Sequence, residues 1–258
     1  MLRASWILYT AHLRRTLFSK RALVCLLLVT APVAAAILIA SLASQWGAPP
    51  ALELLWVLQI QLVVPLVSLL LGSAVVAEEV EDRTITYLFT RPIPRAALLL
   101  GRWLAAVTVA FLLLSVSSWL VIQLLSGAAA ADAENAVGPA LQTRLFQTVL
   151  LGAAAYSLFF AALGALIKHP VIVGLAYTFA IEGVFANIPG SSQGVTILYY
   201  LKSFLAGGDP ELQGRLDELA AGVLLEPDQA LMRLGLMMSA VLFLGGWTIT
   251  RKQFVLPS

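Results

Sequence analysis

The chain has 258 residues, of which 60% are hydrophobic and 12% charged, with a formal net charge of +2. A soluble domain carries about a quarter charged residues, so this sequence lacks the polar material to cover a water-facing surface. The weak net charge argues against a dedicated nucleic-acid binder, and a single cysteine, Cys25, excludes an intrachain disulfide. The apolar residues fall in long blocks, which points to lipid as the solvent.

The first element is short of a span. Leu2, Trp6, Tyr9, Leu13 and Leu17 recur at helical spacing, with Arg3, Arg14, Arg15 and Lys20 largely elsewhere on the wheel. Residues 1–21 therefore read as an amphipathic helix in a cytoplasmic membrane interface. The long basic lead and the long apolar run after it argue against a cleaved secretory signal.

A spanning helix needs about twenty mostly apolar residues. Six segments qualify: Ala22–Ser44, Leu54–Ala77, Trp103–Ser126, Leu145–Ile167, Pro170–Ile188 and Ala230–Thr250. The expected fold is thus an all-α membrane protein of six transmembrane helices in one domain. With the N-terminus inside, twelve of the sixteen Lys and Arg residues fall on the inner side, and the outer segments are acidic. That bias puts both termini in the cytoplasm. Trp46 and Trp56 then fall near the outer interface and Trp103 and Trp247 near the inner one, as an aromatic belt requires.

Polar residues inside spans are the first candidates for function. Glu182 lies toward the outer half of the fifth span, where a carboxylate costs about 3 kcal/mol at mid-bilayer. It faces a translocation path or a dimer seam on one reading, and hydrated interface on the other. Gln59, Gln61, Gln123 and Thr178 occupy similar depths. Together they form a polar vestibule, or else separate interhelical hydrogen bonds. Pro65 removes a backbone donor inside the second span and predicts a kink. Ala153, Ser157, Ala161 and Ala165 make a small-residue stripe suited to close packing within the subunit.

The excursion over residues 189–229 is the longest outer stretch. Thr196–Leu205 is apolar enough to lie at the membrane surface, Asp209-Pro210 opens a short helix, and Glu226-Pro227-Asp228 caps the last span. No metal-ligand cluster or H-E-x-x-H pattern occurs, and His12 and His169 match no ligand spacing.

The most informative stretch follows the second span. Residues 78–101 gather Glu78, Glu79, Glu81 and Arg83, then Thr84, Tyr87, Leu88 and Phe89, then Arg91, Pro92 and Arg95. Aromatic and aliphatic anchors ringed by charge suit a short helix docked into a cytoplasmic partner; a solvated loop is the competing reading. The run resembles the signature of ABC-2-type transporter permeases. Paired acids (Glu78-Glu79) end the second span, Thr84-Ile85 and Leu88 follow, then Pro92-Ile93-Pro94-Arg95, and Gly101-Arg102 opens the third. Arg83 stands where many members carry glycine.

That resemblance implies a permease domain over residues 1–258, pairing as a homodimer or heterodimer and binding two copies of an ABC ATPase. Residues 78–101 become its coupling helix. It also implies export across a cell inner membrane, with ATP and Mg²⁺ on the partner chain and no catalysis by this one. Membrane lipids and an extracytoplasmic accessory protein complete the expected partners. This sequence contains no G-x-x-x-x-G-K-[ST] loop to cradle phosphates itself. The alternative function is a membrane scaffold or assembly factor that recruits a cytoplasmic partner without transport.

Overall fold

The computed structural model describes residues 2–46, 51–81, 95–128, 137–167, 169–186, 188, 191–207, 209–219 and 224–251. Every regular element among them is helical. Helix α1 is Leu2–Leu17 and α2 is Lys20–Trp46. Helix α3 is composite: Ala51–Leu54 is α-helical, Leu55–Val63 is π-helical, and Val64–Glu81 is α-helical again. Next come α4, Arg95–Ala128, and α5, Pro139–Leu166. Helix α6 is Pro170–Ala176 continued by a π-helical stretch, Tyr177–Phe185. A 3₁₀ turn at Ser191–Val195 leads to α7, Ile197–Ala206, then α8, Pro210–Leu219, and α9, Pro227–Arg251.

Among the described residues five helices are long and apolar enough to cross a membrane: Lys20–Leu42, Ala51–Val75, Leu100–Ser126, Pro139–Leu166 and Pro227–Gly245. The expected fifth span differs. Helix α6 comprises seven α-helical and nine π-helical residues. Even at the α-helical rise it reaches only about 24 Å, against a hydrocarbon thickness of about 30 Å. The chain turns at Ala186, and α7 packs against α5 and α9. Thr196–Leu205 therefore belongs to the bundle interior: Ile197, Leu198, Leu201 and Leu205 are all buried.

The centre of the bundle is the contact between α3 and α5, the most extensive in the molecule. Small residues permit it. A Cβ on Gly72 would sit 2.5 Å from the Ser157 carbonyl oxygen, and one on Gly164 would sit 3.0 Å from that of Ser73. Ala153, Ser157, Ala161 and Ala165 are all buried, so the stripe packs inside the subunit. Trp103 donates from Nε1 to Ser157 Oγ at 3.1 Å and ties α4 to the same seam.

Trp56 and Pro65 each have a setting that the sequence does not show. Trp56, on the π-helical stretch of α3, is 1% exposed and lies in the core of the subunit. Pro65 is accommodated by widening: the turns before it are π-helical, and Val64 donates back to Gln59, five residues away. A longer-range bond there gives the ring room that an α-turn would deny it.

Helix α1 packs along α4, where the Tyr9 hydroxyl donates to Thr108 Oγ1 at 3.3 Å. Of the expected stripe, Tyr9 and Leu13 are half-buried against the bundle. His12 and Thr16 are buried, whereas Leu17 is 47% exposed.

Candidate functional site

The segment expected to couple to a partner is reached only at its ends. Helix α3 extends through Glu78, Glu79 and Glu81, and α4 begins at Arg95. The side chains of these four, together with Arg83, Thr84, Tyr87, Leu88, Phe89, Arg91 and Pro92, lie outside the described residues.

The polar residues within the helices resolve into two nodes. The first joins three helices. Gln59 on α3 is fully buried and donates from Nε2 to the Leu114 carbonyl of α4 at 3.0 Å. Ser117 Oγ lies 3.3 Å from Gln59 Oε1 and 2.8 Å from the Val29 carbonyl of α2. A hydroxyl carries one proton, so it alternates between these acceptors and binds all three helices. Pro32 interrupts the next turn of α2, where the helix's own bonding is weakest.

The second node centres on Glu182, 1% exposed on the π-helical part of α6. Its Oε1 accepts from the Tyr177 hydroxyl at 2.8 Å and from the Ile197 amide at 2.9 Å. Its Oε2 accepts from the Leu198 amide at 3.0 Å. Ile197 and Leu198 open α7, whose first amides have no partner within their own helix. Thr196 caps the next one, accepting from Tyr199 at 3.3 Å. The carboxyl group thus accepts from the first two amides at the positive end of the α7 dipole. Tyr156 is fully buried, and its hydroxyl has no hydrogen-bond partner among the described residues.

This explains how α7 can be buried at all. Each unpaired amide away from water costs about 1–3 kcal/mol, and Glu182 with Thr196 satisfies three. Gln193 supports the approach turn by donating to the Ala186 carbonyl at 3.1 Å. At the other end Gly207 adopts φ +60° and its amide returns to Ser203 at 3.3 Å, an αL cap that favours glycine. Arg144 of α5 lies directly over Gly207, where a Cβ would collide with its guanidinium.

Three of the five expected pathway positions enter hydrogen bonds, each with different partners. Gln59 and Glu182 anchor separate nodes, and the Thr178 hydroxyl is bonded back to Gly174 at 2.9 Å. Gln61 is half-buried and Gln123 is exposed on α4. Sequence reasoning did not single out Ser117, Tyr177 or the α7 amides. Tyr177 lies five positions before Glu182, a pairing the π-helical turn creates and an α-helical wheel would not suggest.

The polar ends of the excursion are tied down separately. Arg215 on α8 donates from Nη2 to Glu53 Oε1 at 3.0 Å, at the start of α3. Ser203 Oγ accepts from the Leu225 amide at 3.2 Å, just before α9.

Comparison with known sequences gives one match and one absence. The family model described as "ABC-2 family transporter protein" matches residues 13–184. No curated protein matches the chain.

Proposed function

Because the chain belongs to the ABC-2 transporter family, we propose that it is the transmembrane subunit of an ATP-driven exporter in a cell inner membrane. The observation that carries this reading is the family match over residues 13–184, which includes the whole acidic-to-basic stretch after the second span. Five apolar helices of spanning length are consistent with it.

On this reading two copies of a separate ABC ATPase bind the cytoplasmic face, each carrying ATP and Mg²⁺. A second permease subunit, identical or related, completes the path. Residues 78–101 act as the coupling helix, with Tyr87, Leu88 and Phe89 as anchors and the flanking charges setting orientation. The charge bias supports cytoplasmic termini and an outer location for the excursion. Glu182 and Gln59 fix the helices that line the path, and the exposed Gln123 faces lipid or the second subunit.

The test is reconstitution with the co-purified ATPase. Charge reversal at Glu79 or Arg95 uncouples ATP hydrolysis from transport while the protein still inserts. Unchanged coupling in both variants, or no ATPase in the purified complex, sinks the proposal.

A further inference from the structure

Two carboxylates tie the excursion between α6 and α9 to the bundle in settings of opposite character. Glu182 is buried and spends both oxygens on three donors, two of them backbone amides of α7. Glu53 and Arg215 meet through a single contact of 3.0 Å, and each side chain is 28% exposed. The second Glu53 oxygen, Oε2, is buried with no hydrogen-bond partner. A buried acceptor left unpaired is a cost, so the closed pair is held below its full strength.

The surrounding packing separates the two further. Helix α8, which carries Arg215, packs chiefly against α7 among the described helices. The Arg215–Glu53 ion pair links α8 to α3, joining positions 162 residues apart. Glu53 lies on the α-helical opening of α3, two residues before its π-helical stretch Leu55–Val63, and Glu182 lies within the π-helical Tyr177–Phe185. A π stretch can pass into α-helix by shifting one hydrogen bond per turn, and such stretches often mark functional sites.

We propose that Glu53–Arg215 is a releasable latch between α3 and the excursion, and that the α7 N-terminus seated on Glu182 is the fixed pivot. In the transport cycle the latch opens, α8 moves off the end of α3, and α7 stays in place. This rests on the transporter reading above, and it assigns these four elements a role that reading does not contain.

The experiment places Glu53→Cys and Arg215→Cys in a Cys25→Ala background, in membranes holding the complex with its ATPase. A short bifunctional thiol reagent then reports the separation of the two positions. Efficient cross-linking without nucleotide, falling about tenfold when ATP and vanadate trap the closed ATPases, is the expected result. Equal yield in both states, in a complex that hydrolyses ATP, overturns the latch and leaves the transporter reading standing. Absence of any bound ATPase overturns both. Should the double-cysteine protein fail to insert, charge variants decide instead. Arg215→Glu alone raises basal ATP hydrolysis, and combining it with Glu53→Arg restores the wild-type rate. Identical rates in the single and the swapped variants overturn the latch.

Discussion

The middle spans and the terminal spans of this molecule are all apolar but unlike in what surrounds them. In the most apolar windows of α3 and α5, 67% and 61% of residues are buried inside the subunit. In α2 and α9 the figures are 22% and 17%, although α2 has the highest hydropathy of all. Hydropathy therefore reports tolerance of an apolar solvent, and not which neighbour supplies it. What sets α3 and α5 apart is small residues at their crossing, where backbones come into contact and dispersion replaces any hydrophobic drive.

The sharpest way to break that difference is to force the central seam apart. Gly72→Val puts side-chain atoms against the Ser157 backbone, which cannot yield as a flexible side chain would. We expect a loss of about 3 kcal/mol or more, seen as a collapse of the unfolding midpoint in detergent. Glu182→Ala comes next, because it strands two α7 amides and the Tyr177 hydroxyl. It should cost about 3 kcal/mol and speed hydrogen exchange at Ile197 and Leu198 before the rest of the protein.

Gly207→Ala is smaller: a left-handed backbone costs about 1–2 kcal/mol for a residue with a Cβ, and Arg144 must swing away. Ser117→Ala removes one shared donor between α2 and α3 and should lower stability by about 1 kcal/mol. The smallest effects belong to the flanks. Leu27 and Phe243 are 72% and 73% exposed, so alanine there should shift monomer stability by less than about 0.5 kcal/mol. A larger shift in the intact complex would identify those faces as buried against a second subunit rather than lipid.

Much of the candidate site was legible as positions but not as partners. The depth of Glu182 and the polarity of Gln59 can be read from one strand of text, since a polar side chain among apolar neighbours must find a bond. Their acceptors and donors cannot. The Leu114 carbonyl is chemically present at every residue, and the α7 amides become donors only because a helix begins there. Trp56 misleads for a related reason: an aromatic near the end of a span suits an interface and a core equally well. The short α6 is another case, because the apolar run to Ile188 conceals where π-helical turns shorten the rise and the chain turns back.

The sequence by itself determined that this chain is helical, carries several apolar segments of spanning length, and holds the acidic-to-basic stretch that the family match includes. Those properties are sums over local residues, and transfer into an apolar medium is itself a local quantity. The tertiary structure alone decided which apolar faces meet protein, that α7 is seated in the bundle by a carboxylate from α6, and that α8 reaches α3 through one ion pair. Lipid and protein are equally apolar neighbours, so the choice between them is made by backbone approach and hydrogen-bond geometry, which exist only once the helices are packed.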